Sequence, residues 1–121
     1  MTRQSEDARL SSAQDRMHKI RSLNDSFRKG KASGRIMLTQ GVIALGDTAV
    51  ATILTAVHDF DAFSPDNDPY GEHDFGAFEL AGERMFWKID YYDSACSAGS
   101  PDPSDPAVTT RVMTVMLASE Y

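Results

Sequence analysis

Carboxylates and an imidazole crowd into one stretch of this sequence. Asp59, Asp61, Asp66, Asp68, Glu72 and Asp74 fall within sixteen residues, with His73 among the last of them. Such groups together bind a divalent cation or serve as acid and base. The looser metal reading draws on Asp68, Glu72, His73 and Asp74, and leaves the metal unassigned. The run Asp66-Asn67-Asp68-Pro69-Tyr70-Gly71 begins like a calcium loop. It fails at the fifth position, Tyr70, and at the twelfth, Ala77, where a glutamate is needed. The plainer account is a hydrogen-bonded turn: Asp and Asn side chains cap nearby amides and proline fixes φ. The candidate binding residues are Asp66, Asn67, Asp68, Tyr70, Glu72, His73 and Asp74. Lys88 and Asp90 join them, because they share one strand face and are placed to pair with the loop acids.

No catalytic residue is assigned. The chain has no nucleophile elbow, no Gly-rich phosphate loop, no HExxH and no deaminase pattern. Cys96 is the only cysteine and has no basic neighbour to activate it. A single cysteine excludes an intramolecular disulfide and a four-cysteine zinc site, and fits a reducing compartment. No cofactor and no small-molecule substrate is indicated.

The elements that must position these groups are legible as periodicities. From about Ser5 to Arg28, Leu10, Ala13, Met17, Ile20, Leu23 and Phe27 recur at steps of three and four, which predicts a helix stopped by Gly30 and Gly34. Ile36 to Thr39 reads as a short strand, and Val42-Ile43-Ala44-Leu45 as either a continuing strand or a helical turn. Asp47 or Thr48 caps a second helix running to about Phe60, with Val50, Ile53, Leu54, Val57 and Phe60 on its core face. His58 lies at the edge of that stripe, where a hydrogen-bonded boundary role is the plain expectation.

The segment 59–74 is a loop, since two prolines and a glycine interrupt it. Phe75 to Leu80, the turn Ala81-Gly82 and Glu83 to Tyr92 then form a β-hairpin. Its register sets Phe78 against Met85, Gly76 against Trp87 and Glu79 against Arg84, and a one-residue slip would lose all three pairs. Met85, Trp87, Ile89 and Tyr91 then face the core, and Phe86, Lys88, Asp90 and Tyr92 face away. The seventeen residues Ser94 to Thr110, with Pro101, Pro103 and Pro106, form a loop of a length that is commonly functional or mobile. Arg111 to Ala118 is a last strand.

These elements predict an α+β fold: a three- to four-stranded, mostly antiparallel sheet with two helices packed on one face. The chain has 121 residues, 41 % of them apolar, enough for one core. Charge divides it into a basic amphipathic helix, 1–30, and an acidic body, 31–121, of a single domain. From Met1 to Arg35, nine Lys and Arg face four Asp and Glu; beyond, Arg84, Lys88 and Arg111 face fourteen acids. Such asymmetry marks a nucleic-acid or partner surface, or simply an arm lying against its own body. No run is long and apolar enough for a membrane span, and the start of the chain lacks the apolar core of a secretory signal. A cytoplasmic protein is expected.

Asn67–Gly76 (NDPYGEHDFG), Trp87–Asp93 (WKIDYYD) and Thr109–Tyr121 (TTRVMTVMLASEY) resemble an uncharacterised bacterial domain-of-unknown-function family, number 3768. The segment NDSFRKGK…GRIMLTQGVIAL is similar to that family's opening. The residues before Leu23 lie outside the resemblance. It implies small proteins of alphaproteobacteria and their mobile elements, carries over no catalytic role, and places Asn67, Asp68, Gly71, Glu72, His73, Asp74 and Gly76 in the family signature.

Three functions compete. The first is a non-enzymatic binding or regulatory protein, in its specific form a mobile-element inhibitor of nucleic-acid machinery, of anti-CRISPR or anti-restriction type. Its acidic body would occupy a basic channel as a phosphate mimic, so the partner is a protein, specifically a basic nucleic-acid-binding complex. The second is a small metal-binding protein or enzyme using the Asp68–Asp74 loop. The third is a DNA-binding regulator using the basic helix, whose field Asp15 and Asp25 interrupt.

Overall fold

The hairpin is the frame on which the rest is built. In a computed structural model, which describes residues 2–121 and the side chains from residue 12 onward, the elements in chain order are α1 (Thr2–Arg28), β1 (Arg35–Leu38), α2 (Gln40–Ile43), α3 (Asp47–His58), β2 (Phe75–Leu80), β3 (Glu83–Tyr92) and β4 (Thr110–Leu117). The pairing of β2 with β3 is the expected one: Phe78 with Met85, Gly76 with Trp87, Glu79 with Arg84. Ala81 and Gly82 both take positive φ, 52° and 79°, the turn geometry that matches strand twist in a two-residue hairpin. Gly76 has to be bare because a Cβ there would overlap the Trp87 indole.

The sheet has four strands in the order β1-β4-β3-β2, with β3–β4 and β2–β3 antiparallel and β1–β4 parallel. The fold is α+β and mostly antiparallel. Met85, Trp87 and Ile89 of β3 and Met113 and Val115 of β4 are buried with Phe27 of α1, Val42 of α2, and Ile53 and Val57 of α3. Complete burial of one such side chain stabilises by about 2 kcal/mol. Among the described residues no helix is long and apolar enough to cross a membrane.

The helix ends follow local chemistry. Gly30, at φ 73°, lets its N–H donate to Phe27 O (3.0 Å) and the Lys31 N–H to Ser26 O (2.7 Å), which closes α1 in a Schellman turn. The run that follows β1 resolves as a helical turn, α2. Gly46, with φ 97°, holds the cap position of α3, so Asp47 lies in the first turn and faces the helix dipole instead of capping it. Helix α3 ends at His58, two residues before Phe60. His58 is exposed and meets Asp59 at 2.7 Å.

The segment after β3 is knit together. The Ser104 hydroxyl and N–H donate to Asp102 (2.6 and 3.1 Å), the Thr109 hydroxyl donates to Asp102 O (2.9 Å), and Tyr92 bridges Gly99. The prolines remove three amide donors, and short Asp and Ser side chains accept from several of those that remain.

Candidate functional site

The site is the loop 59–74, and its two sides differ. The inner side begins with α1, where Ile20, Asn24 and Phe27 fall at steps of four and three on the buried face. Asn24 is fully buried. Its Nδ2 donates to Glu72 O (3.0 Å) and to the Tyr91 hydroxyl (2.7 Å), and its Oδ1 accepts from Arg111 Nε (2.7 Å). The Tyr91 hydroxyl donates in turn to Glu72 Oε1 (2.8 Å), and Arg111 Nη2 donates to Pro103 O. One amide thus ties α1, the loop, β3, β4 and the proline-rich segment together. Burial, with the Glu72 charge beside it, pushes the Tyr91 phenol far above its ordinary value, so it stays a neutral donor. Burial pushes Arg111 down from its usual value.

A second group sits one turn further along α1. Arg28 is buried; its Nη1 pairs with Asp25 (2.9 Å) and its Nη2 donates to Phe60 O (3.2 Å). The guanidinium lies over the rings of Trp87 (5.3 Å) and Phe63 (5.4 Å). The His73 ring stacks flat on Phe63, 3.7 Å between centroids, with Nδ1 2.8 Å from Asp25 and Nε2 3.7 Å from Asp68. The His73 N–H also donates to Asp68 Oδ1 (3.1 Å). That bond holds a left-handed backbone, φ 55°, which a residue with a Cβ adopts at a cost. Burial works to raise the Asp25 carboxyl, but the Arg28 and His73 hydrogen bonds outweigh it and hold the group below its usual range.

The outer side is open. Asn67, Tyr70, Asp74, Phe75, Lys88, Asp90 and Tyr121 line a groove of about 410 Å3. Tyr70 and Tyr121 are 76 % and 77 % exposed. Tyr121 meets Phe75 and Phe86 edge-on, at 6.4 and 5.5 Å. Burial raises the Asp74 carboxyl, and the neighbouring carboxylates Glu72, Asp68 and Asp90 add to the rise. Lys88 pairs with Asp90 at 3.0 Å within the strand, and that hydrogen bond holds its ammonium above the usual value.

The candidate residues therefore divide. Asp68, Glu72 and His73 point inward and bond to the protein itself. Tyr70, Asp74, Lys88 and Asp90 line the groove. Asn67 lies at the groove but its amide is held by the loop, donating to Ala62 O (3.0 Å) and accepting from the Ser64 N–H (2.9 Å). Asp66 is exposed on the loop. Lys88 and Asp90 bond to each other rather than to loop acids. Glu72 goes to Tyr91 and Asp68 to His73, and among the described residues no three His, Cys, Asp or Glu converge as a metal site requires. Three arginines of α1 bond to the body as well. Arg16 reaches Asp102 (3.4 Å), Arg21 donates to Gly71 O, and Arg28 is buried. Lys19 is exposed, and the side chains of Arg9 and Leu10 lie outside the described residues.

Asn24, Asp25, Arg28, Phe63, Tyr91 and Arg111 were not among the candidates, yet they build the inner side. One signal was available: Asn24 interrupts an apolar stripe at a core spacing, and a polar residue there has to find buried partners.

The family model for proteins of unknown function DUF3768 matches residues 38–120, and the chain belongs to that family. No curated protein and no solved structure matches it.

Proposed function

We propose that this member of DUF3768 is a binding or regulatory protein that takes a cationic macromolecular partner at the outer groove and performs no chemistry itself. The observation that carries this reading is the division of the loop. Its inward acids and imidazole are paired inside the molecule, while the groove offers two exposed tyrosine rings beside Asp74, with Asp90 sharing its charge with Lys88 (3.0 Å). Phenol rings and carboxylates together suit a guanidinium or ammonium group. The raised Asp74 carboxyl supports the same reading, since a partner cation would relieve the crowding of negative charge there.

In its specific form the partner is a basic nucleic-acid-handling protein, and this chain is a mobile-element inhibitor of anti-CRISPR or anti-restriction type that competes with phosphate. The acidic balance of the body supports that form. A DNA-binding reading has less to draw on, because Arg16, Arg21 and Arg28 bond within the molecule. A metal reading lacks converging ligands among the described residues.

The test is titration against Arg-rich and Lys-rich peptides over a salt series. Competition between this protein and duplex DNA for basic nucleoproteins of the native host then follows. Affinity is expected to fall with salt, DNA to compete, and Tyr70→Ala with Asp90→Asn to weaken binding at least about tenfold. Binding that ignores salt, or that both substitutions leave unchanged, overturns the reading.

A further inference from the structure

The opposite edge of the sheet carries a different surface. β1 has β4 on one side only. The Thr39 N–H donates to Val115 O (3.2 Å). Alternation along an extended strand therefore points the main-chain groups of Arg35, Met37 and Thr39 at β4, and those of Ile36 and Leu38 away from the sheet. Two N–H and two C=O groups form an open edge. Four of the six large apolar side chains exposed among the described residues, Ile36, Met37, Ile43 and Leu45, belong to this strand and the turn after it. Ile36 is 51 % and Met37 55 % exposed. An open apolar edge of this kind is a template for another strand.

We propose that the occupant is a second copy of this chain, paired antiparallel through β1 about a two-fold axis that passes Met37. In this register Ile36 of each copy faces Leu38 of the other in a hydrogen-bonded pair, so all four outward groups of both copies are satisfied. Moving the axis to Ile36 or Leu38 sets the other of these two residues against Gly34 or Gln40, both outside the strand. Met37 faces its own counterpart, apolar against apolar. Arg35 faces Thr39 of the other copy, and the Thr39 hydroxyl holds Glu120 Oε1 at 2.6 Å. The Gly41 N–H (3.0 Å) and Leu117 N–H (2.9 Å) fix that carboxylate. Hydrogen bonds from Thr39, then Leu117 and Gly41, keep it below its usual range and therefore charged.

The strand is thus basic at its first residue and acidic beside its end, an order that matches itself only when reversed. Arg35 and Glu120 of opposite copies meet twice, once on each side of the axis. The result is a continuous eight-stranded sheet, with the two outer grooves at its far edges.

Sedimentation equilibrium of the whole protein over a concentration series tests this, and a monomer–dimer equilibrium is expected. A non-hydrogen-bonded antiparallel pair sets its Cα atoms about 4.5 Å apart, inside the disulfide range of roughly 4.4–6.8 Å. In a Cys96→Ser background, Met37→Cys is therefore expected to form a covalent dimer under mild oxidation, while Ile36→Cys and Arg35→Cys do not. Met37→Lys and Met37→Glu are each expected to raise the dimer dissociation constant at least about tenfold, and an equal mixture of the two to restore association. A wild type that stays monomeric throughout overturns the proposal. So does cross-linking at Ile36 or Arg35 but not at Met37, or a dimer that neither Met37 variant weakens.

Discussion

The two sides of the loop 59–74 are made of the same residue types and have opposite fates. On the inner side Glu72 and His73 have partners supplied by β3 and α1, and Asp68 is held by His73 within the loop. On the outer side Asp74 has neighbours of its own sign, and Tyr70 and Tyr121 stand in solvent. The inner carboxylate Asp25 is held below its usual range by Arg28 and His73 against the pull of burial, whereas burial and repulsion raise Asp74. The lesson is that a cluster of acids in a sequence is neither a site nor a scaffold until the partners of each carboxylate are known. In this protein the chemistry of a polar loop is largely internal fastening, and the part available to a ligand is the remainder.

The comparison can be broken most sharply at Asn24. Asn24→Leu removes the three hydrogen bonds to Arg111, Tyr91 and the Glu72 carbonyl, and leaves buried polar groups unpaired. It is expected to cost about 3 kcal/mol in urea unfolding, while leaving the groove residues in place. A loss under about 1 kcal/mol would show that the inner network is dispensable.

The next effect is at Asp25. Asp25→Asn weakens the pairs with Arg28 and His73 and is expected to cost about 1–2 kcal/mol at neutral pH. Because the folded carboxyl sits below its usual range, its contribution is complete above the ordinary carboxylate range. It is lost as pH falls through the depressed value. Wild type and Asp25→Asn should therefore converge in stability under strong acid, and equilibrium unfolding across pH checks this.

The smallest effect is at Asp74, and it has the other sign. Its raised carboxyl means that the folded state binds the proton more readily than the unfolded chain, so this group favours folding as pH falls through the raised value. Asp74→Asn is expected to stabilise at neutral pH by less than about 0.5 kcal/mol and to lose that advantage in acid. Thermal melts at neutral and acid pH would read it. Destabilisation by Asp74→Asn would mean that this carboxylate, too, is internal fastening.

What the sequence could show depended on range. The hairpin register was fully legible, because a two-residue turn fixes which residues face one another and Gly76 needs Trp87 opposite. The α+β class and the helix of Val50, Ile53 and Val57 followed from periods of two and three to four. The cap of α3 was misplaced from Gly46 to Asp47 or Thr48, since capping by backbone conformation leaves no side-chain signature. The parallel pairing of β1 with β4 was not legible, because strand order between residues so far apart depends on which faces must be buried together.

The site followed the same rule. Residue types alone located the polar loop and the pairing face of Lys88 and Asp90. They could not say that His73 lies flat on Phe63 between Asp25 and Asp68, or that Glu72 turns to Tyr91. Local sequence determines backbone preference and which face of an element is apolar, because those are set by neighbours a few residues away. The direction of each polar side chain is settled only when α1 packs against the loop and the sheet. Burial then makes an unpaired group costly and drives most of them to a partner within reach, Arg28 Nε and Trp87 Nε1 being buried exceptions.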